Sequence, residues 1–269
     1  MSAEAYTSAG LRAQRWSGEL RRLADGVALP VGFILVCLAA FEVFARVLAI
    51  PEVLLPAPSR IVAALFSNAA TLGYHGALTT LKVLIALLAS LAVGVVIATV
   101  FTLSRVIDAM FAPIFVVLQI VPKIALAPLF VVWCGPGVLS HITFAVALSF
   151  FPILTGARAG FEETSAEAVR LCNALRASRL QTLLHVKFPM ALPQLFVGAK
   201  VSTTLCIIGI VLGEFVSAKA GIGWYIVQAA ALAQTANILA ALIVLSLFGL
   251  VVYGLVTAGE IVVRRRMFG

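Results

Sequence analysis

Three histidines and four cysteines are the residues of this 269-residue chain best suited to binding a metal ion. His75, His141 and His185 have no cysteine, histidine or carboxylate neighbours at the spacing of metal ligands. The cysteines form no CxxC pair, and we interpret them as small apolar residues with reduced thiols. The sequence contains no Walker A motif, and we find no Ser-His-Asp or paired-carboxylate arrangement. We therefore expect the chain itself to bind no metal or cofactor and to catalyse no reaction.

Two lysines stand out because they lie within long apolar stretches. Charges at membrane depth are costly and usually face a bundle interior or a watery cavity. Lys123 follows Pro122, which can bend or open its helix. Lys123 and Lys200 either line a pathway, where they favour an anionic solute, or lie in helix contacts neutralised by carbonyls or by Glu214. The sequence alone leaves both readings open.

Three further charged residues have simpler interpretations. Lys82 lies near the outer end of its apolar stretch, and we predict that its ammonium extends to the membrane interface. Glu42 and Arg46 are one helical turn apart and are predicted to pair with each other.

The elements that must position these residues are helices in a bilayer. Of all residues, 62% are hydrophobic and 11% charged, whereas soluble domains carry about 25% charged residues. A helix needs roughly 20 apolar residues to cross a bilayer. The predicted fold is therefore an all-α polytopic membrane protein with six transmembrane helices. The six stretches are 28–50, 79–103, 110–133, 138–157, 194–217 and 235–262.

The net charge of +8 orients these helices. Most Lys and Arg residues fall on one side of the predicted bundle, and such a bias marks the cytoplasmic side. Both termini are then cytoplasmic, with a cytoplasmic segment at 1–27 and a transmembrane domain at 28–269. The basic charge also attracts anionic membrane lipid. A nucleic-acid partner is not predicted, because no patch interleaves basic and aromatic residues.

Two segments outside the spans carry local signals. In the outer segment 51–76, Pro56 and Pro58 exclude a regular helix, after which Ser59 can cap a short interfacial helix. In the longest cytoplasmic loop, 158–192, two capping boxes predict two short amphipathic helices. The boxes run from Thr164 to Glu167 and from Ser178 to Gln181.

The loop 158–192 therefore reads as helix, bend and helix, with the bend near Arg176. Pro189 and Pro193 are predicted to end the second helix and lead into the fifth span. The two helices either lie on the inner leaflet or insert apolar residues into a groove on a partner. Spacing alone does not decide between these possibilities.

Five motifs occur in a fixed order along the chain. They are Leu55-Pro56-Ala57-Pro58-Ser59, the run 122–129 with Trp133 and Gly135, the loop 173–193, Gly213-Glu214-Phe215, and the glycine-rich turn 221–226. Together they resemble the permeases of ABC importers, in particular those of the nitrate, sulfonate and taurine type. The resemblance covers the chain from about residue 28 to the end.

This resemblance implies a type I ABC importer permease fold in the bacterial inner membrane. It implies a homodimer, two cytoplasmic ATPase subunits that carry ATP and magnesium, and an external solute-binding protein. The expected solute is small and anionic, such as nitrate, a sulfonate or taurine. The alternative solute is a heterocyclic vitamin or pyrimidine precursor. The alternative class of protein is an ATP-independent secondary transporter.

The resemblance also assigns roles to residues. It places ATPase contacts on the loop, at Glu167, Arg170, Cys172, Ala174, Leu175, Arg176, Ala177 and Ser178. We assign the pathway or gate to Pro122, Lys123, Lys200 and Glu214, and the turn at Gly221 is implied to shape the outer gate or meet the binding protein. The family's glycine falls at Arg176. Since a non-glycine residue rarely adopts positive φ, either the bend is made in another way or Arg176 accepts strain.

Overall fold

The structure, a computed structural model, describes residues 30–268, so the predicted cytoplasmic segment 1–27 lies outside the described residues. Residues 30–268 form helices and connecting turns without a β-strand, which confirms the all-α class. The α-helices are α1 (Pro30–Val47), α2 (Pro58–Ser67), α3 (Ala69–Leu103), α4 (Arg105–Ile120), α5 (Ala127–Cys134), α6 (Val138–Glu162), α7 (Ala166–Ala174), α8 (Arg179–Thr182), α9 (Phe188–Ser217), α10 (Ile222–Ala231) and α11 (Thr235–Phe268).

Five helices in the described part are long and apolar enough to cross a membrane: α1, α3, α6, the run from α8 through α9, and α11. The predicted third span, 110–133, is not one helix. It is divided between α4 and α5, with a 3₁₀ turn at Lys123–Leu126 between them. The break follows from Pro122, which lacks an N–H and forces the preceding Val121 into an extended conformation. A sixth crossing thus stays a prediction.

The prediction that Pro189 and Pro193 end the second loop helix is wrong. The helix runs without interruption from Arg179 to Ser217. A π-helical turn at Leu183–Lys187 ends two residues before Pro189. A proline in a helix clashes with the carbonyl four residues earlier, and the wider π turn gives that carbonyl room.

Residues 30–64 group as a unit of their own among the described residues. The predicted pair is confirmed, since Arg46 Nε donates to Glu42 Oε1 over 2.6 Å. Ser59 does not cap α2. The helix begins one residue earlier, at Pro58, and the Ser59 hydroxyl instead donates to Glu42 Oε1 over 2.7 Å.

The core of the unit 65–268 is the packing of α6 against α9 and α3. A Cβ atom at Gly198 of α9 would overlap the Pro152 carbonyl oxygen of α6, so only glycine allows this close approach. Polar contacts join the same three helices. Ser90 and Ser149 lie 2.7 Å apart, and Ser202 donates to the Ser149 carbonyl over 2.6 Å.

Side-chain contacts show that α3, α6 and α9 alternate in direction. At one end Arg158 donates to both Asp108 oxygens, over 2.6 and 2.9 Å, which ties the start of α4 to α6. At the other end His141, near the start of α6, contacts Ser217 at the end of α9 over 3.0 Å. The connection between α6 and α9 therefore lies at the end of the unit that the charge bias predicts to be cytoplasmic.

Candidate docking loop and buried polar cluster

The docking loop, defined as residues 163–187, connects α6 to α9 and contains α7 and α8. The first cap differs from the prediction by one residue. Ser165, not Thr164, caps α7, and its hydroxyl accepts the Ala168 N–H over 3.2 Å. Thr164 is buried, and its hydroxyl has no hydrogen-bond partner among the described residues. It is therefore turned into the protein and away from the helix start.

The second capping box is confirmed. The Ser178 hydroxyl accepts the Gln181 N–H over 3.2 Å, and the Gln181 side chain accepts the Ser178 N–H over 2.8 Å. This reciprocal pair satisfies two backbone donors at the start of α8. The chain is thus broken and restarted within a few residues of Arg176.

Arg176 forms the bend by accepting a left-handed conformation, with φ of 55°. The hydrogen bonds around it are those of a Schellman motif. The Ala177 N–H donates to the Cys172 carbonyl over 2.9 Å, and the Arg176 N–H donates to the Asn173 carbonyl over 3.0 Å. Glycine usually occupies this position, because a side chain there costs roughly 1–2 kcal/mol. Of the two possibilities left open by the sequence, the structure shows the strained one.

The α7 helix leaves its apolar residues uncovered. None of its residues is buried, and the Leu171 and Leu175 side chains around its end are 62% and 74% exposed. Of the eight predicted contact residues, Cys172 and Ala177 are half-buried and the other six are exposed. An amphipathic helix with its apolar face unpacked within its own chain is suited to a groove on a partner.

At the opposite end of the unit, Glu214 lies at the centre of a buried polar cluster. Its side chain is 0% exposed, and Oε1 accepts from Lys82 Nζ over 2.7 Å. Thr79 Oγ1 lies 3.0 Å from the same oxygen, and the Gly223 N–H donates to Oε2 over 2.8 Å. The prediction that Lys82 extends to the interface is therefore wrong. Lys82 is instead buried with the Glu214 carboxylate, and the hydrogen bonds of the cluster offset the cost of burying both charges.

The turn between α9 and α10 is built onto this cluster. Lys82 Nζ donates to the Ala220 carbonyl over 3.1 Å, and the Ile222 N–H donates to Thr79 Oγ1 over 2.8 Å. Gly221 has a φ of 128°, and a Cβ atom there would overlap the Glu214 carboxylate. The carboxylate, the lysine and the glycine together fix the path of residues 218–223.

Two histidines complete the surroundings of this turn. His75 Nδ1 accepts the Gly221 N–H over 3.1 Å, and its ring lies 5.1 Å from that of Trp224. Tyr225 is half-buried beside it, and burial raises the pKa of its phenol, which stays neutral. No group of three metal-binding side chains is found within residues 30–268. His75 Nδ1 and His141 Nε2 each make a hydrogen bond, whereas His141 Nδ1 is buried and has no hydrogen-bond partner among the described residues.

The part that His75 and Thr79 play in this cluster was not predicted, although the sequence contains a signal for it. His75, Thr79 and Lys82 are spaced by four and three residues, which places them on one face of an otherwise apolar α3. A polar stripe within an apolar helix indicates a buried partner. The partner, Glu214, is more than 130 residues away in the chain.

Lys200 and Lys123, the two lysines within apolar stretches, have different surroundings in the structure. Lys200 pairs with Glu260 of α11 at 2.5 Å, with both side chains about one-fifth exposed. Glu214 is therefore not its partner. Lys123 is half-buried beside the α4–α5 break, with Nζ 5.7 Å from the centre of the Phe151 ring. Pro122 is exposed at the break itself.

The known proteins that are similar to this chain are membrane components of transport systems. A family model described as a binding-protein-dependent transport system inner membrane component matches residues 90–265. A probable ABC transporter permease protein of Haemophilus influenzae is 31% identical over 83% of this chain and 91% of its own length. The formylaminopyrimidine transport permease protein ThiX of Halalkalibacterium halodurans is 28% identical over 82% of this chain and 88% of its own. The taurine transport system permease protein TauC of Escherichia coli is 28% identical over 88% of this chain and 87% of its own.

Proposed function

Because the chain belongs to the binding-protein-dependent transport system inner membrane components, we propose that its docking loop binds the ATPase of an ABC importer and transmits the ATPase motion. Members of this family span the inner membrane several times and are not themselves catalytic. ATP is hydrolysed on a separate ATPase subunit, and a substrate-binding protein belongs to the same system. The chain is thus a transmembrane subunit of an ABC importer.

The observation that carries this proposal is the uncovered apolar face of α7. Leu171 and Leu175 remain mostly exposed at the end of the bundle predicted to be cytoplasmic. Burying a leucine side chain stabilises a complex by roughly 1.5–3 kcal/mol. Burial of these two leucines, one in α7 and one directly after its end, would therefore stabilise a complex with a partner.

A mechanical connection runs from this loop to the buried cluster. The helix Arg179–Ser217 begins in the docking loop and carries Glu214 near its other end. Its 39 residues span about 58 Å at 1.5 Å per residue. ATP binding closes the ATPase pair and draws the docking loops together, and this helix carries the displacement to residues 218–223. That is a two-state element biased by a ligand on another subunit.

Residues 218–223 are proposed as the outer gate. The Glu214 carboxylate and Lys82 fix their path. A turn held by directed bonds has discrete positions, which suits an open and a closed state. Lys200 is assigned a structural role, since Glu260 neutralises it.

The solute is proposed to be small and anionic. Lys123 supports this, because it lies within an apolar stretch and makes no ion pair with a carboxylate among the described residues. Taurine, named for one relative, belongs to the class with a sulfonate group. A pyrimidine precursor is the second candidate, supported by the relative named for formylaminopyrimidine.

The remaining features of the assembly are proposals as well. Two copies of the chain form the pathway between them, and ATP with magnesium is bound by the two ATPase subunits. Both termini face the cytoplasm, in agreement with the basic cluster Arg264, Arg265 and Arg266 at the end of α11. Anionic lipid surrounds this basic end.

Co-purification with the ATPase subunit tests the docking role. The double change Leu171→Asp and Leu175→Asp places two charges in the proposed contact while leaving the bundle core untouched. We expect the affinity-tagged wild type to retain the co-expressed ATPase subunit and the double variant to lose it. Leu54→Asp is the control, because Leu54 is 72% exposed but belongs to the predicted outer segment. Equal retention by all three proteins would refute the docking role.

A further inference from the structure

A cavity of about 200 Å³ lies beside the break between α4 and α5. Its wall is aromatic and aliphatic apart from the side chain of Lys123. The five aromatic residues in the wall are Phe115, Phe130, Phe144, Phe150 and Phe151. The cavity is therefore a hydrocarbon pocket with a single charge, located where a membrane helix is interrupted.

The charge in this pocket lacks a counter-ion. Lys123 is the only charged residue in the wall among the described residues, and no described carboxylate lies within ion-pair distance of it. The Lys123 ammonium lies over the face of Phe151, with Nζ 5.7 Å from the ring centre. A cation–π contact is worth roughly 0.5–2 kcal/mol, which is less than the cost of holding an ammonium in an apolar site. An anion in the pocket would supply the missing charge.

The wall also selects the body of that anion. Flat rings pack on phenylalanine side chains in offset or edge-to-face geometry. Its described lining residues include no hydroxyl, amide or carboxylate side chain. Nitrate would lose most of its hydration here without replacement hydrogen bonds, and the ammonium of taurine would meet Lys123 with no carboxylate nearby. An aromatic ring with one acidic group avoids both costs, because its ring packs on the phenylalanines and it brings no ammonium close to Lys123.

The cavity has room for one aromatic ring. An apolar cavity of about 150 Å³ in another protein accommodates benzene. A volume of about 200 Å³ is therefore sufficient for one substituted ring. Interrupted backbone at membrane depth is tolerated where it lines a cavity, and transporters place solute sites at such breaks.

We propose that this cavity is a solute site for single-ring aromatic anions, with the acidic group on Lys123 Nζ and the ring among the phenylalanines. The inference deepens the proposed import function and rests on it. It makes Lys123 a specificity-determining residue, and it narrows the small anionic solute proposed above to aromatic acids, in place of inorganic oxoanions such as nitrate and zwitterions such as taurine.

Benzoate is a suitable probe, because it has one ring and one carboxylate. The full chain in lipid nanodiscs, with its ATPase subunit bound, is equilibrated with radiolabelled benzoate. We expect saturable binding that unlabelled benzoate displaces and that nitrate and taurine do not. Benzamide, which has the same shape without the charge, should compete about tenfold more weakly or worse. Equal competition by benzamide, or displacement by nitrate or taurine, would overturn the proposed specificity.

Variants assign the binding to this pocket. Lys123→Met should weaken benzoate binding about tenfold or more, whereas Lys123→Arg should largely retain it. The paired change Lys200→Met and Glu260→Gln is the control, because it removes a neutralised pair that is not in the pocket wall. Unchanged benzoate binding by Lys123→Met, or no binding by the wild type, would refute the inference.

The same preparations distinguish this inference from the import function. Retention of the ATPase subunit and its ATP hydrolysis are measured alongside benzoate binding. Absent benzoate binding in a preparation that keeps an active ATPase overturns the solute site alone. Absence of the ATPase subunit from the wild type overturns the proposed function. If Lys123→Met fails to fold, the competition of benzamide, nitrate and taurine with benzoate on the wild type still tests the proposed specificity.

Discussion

At the scale of single residues, Arg176 is an arginine in a conformation that glycine adopts without strain. The Schellman hydrogen bonds hold the bend, so the side chain is not needed to form it. The arrangement therefore separates two roles of this residue, the backbone turn and any contact made by the guanidinium.

Arg176→Gly is predicted to preserve coupled ATPase activity and to stabilise the protein by up to about 1 kcal/mol. Glycine removes the free-energy cost of the left-handed conformation at this position. Part of this gain is lost, because glycine also raises the conformational entropy of the unfolded chain. Arg170→Gly is the matched control, since Arg170 lies within α7 and glycine there weakens the helix. Thermal melting and ATPase assays check both variants. Complete loss of coupled activity in Arg176→Gly would show that the guanidinium makes a specific contact.

Glu214→Gln is predicted to destabilise the protein by about 3–5 kcal/mol, because it leaves Lys82 as a buried charge without a carboxylate. The amide nitrogen can also no longer accept one of the bonds that the carboxylate accepts. Glu260→Gln breaks a pair that is about one-fifth exposed, so it should cost less. Melting temperatures of the two variants give the comparison, and a larger loss in Glu260→Gln would contradict the buried cluster.

Sequence reasoning at this scale identified Glu214 but not its partner. The capping box at Ser178 is local, so the sequence predicts it correctly, and the pair of Glu42 and Arg46 is local as well. Lys82 and Glu214 are distant in the chain, and their pairing depends on how α3 packs against α9. Without that packing, extension to the interface was the natural expectation for a lysine near the end of a span.

At the scale of elements, the turn 218–223 depends on the absence of a side chain at Gly221. Its positive φ and its contact with the Glu214 carboxylate each exclude a larger residue. A change here should displace the turn while leaving the docking loop in place. The proposed gate and the proposed docking site can therefore be tested separately.

Gly221→Ala is predicted to abolish the stimulation of ATP hydrolysis by the binding protein while the ATPase subunit still co-purifies. Gly73→Ala is the control, because a Cβ atom at Gly73 in α3 meets nothing within 4 Å. It should be neutral or stabilise α3 by about 0.5–1 kcal/mol. The readouts are co-purification and stimulation of ATP hydrolysis by the binding protein. Normal stimulation in Gly221→Ala would exclude a gating role for this turn.

Helix type was predictable from composition, whereas helix continuity was not. An apolar run over 110–133 satisfies a length rule for one span, although Pro122 divides it into α4 and α5. The opposite error occurred at Pro189, where the prolines suggested an end and the π turn lets the helix continue. In both places the outcome depends on whether neighbouring backbone can adjust around the proline, which a sequence pattern does not show.

At the scale of the whole molecule, the docking loop and the buried polar cluster lie at opposite ends of one bundle. The docking loop exposes leucines at one end, and the Glu214 cluster buries charges at the other. One continuous helix, Arg179–Ser217, belongs to both. This arrangement fits a subunit that receives a motion on one side of the membrane and uses it on the other.

Site-specific photocrosslinking tests the docking of this loop most directly. Leu175 is replaced by the photoreactive residue benzoylphenylalanine, and intact membranes that contain the ATPase subunit are irradiated. Leu247 of α11, which is 55% exposed within a membrane span, receives the same residue as a control. We predict a crosslink from position 175 to the ATPase subunit and none from position 247. If the residue at position 175 crosslinks to lipid, or to no protein, while the ATPase subunit is present, the proposed docking of the loop on the ATPase is contradicted.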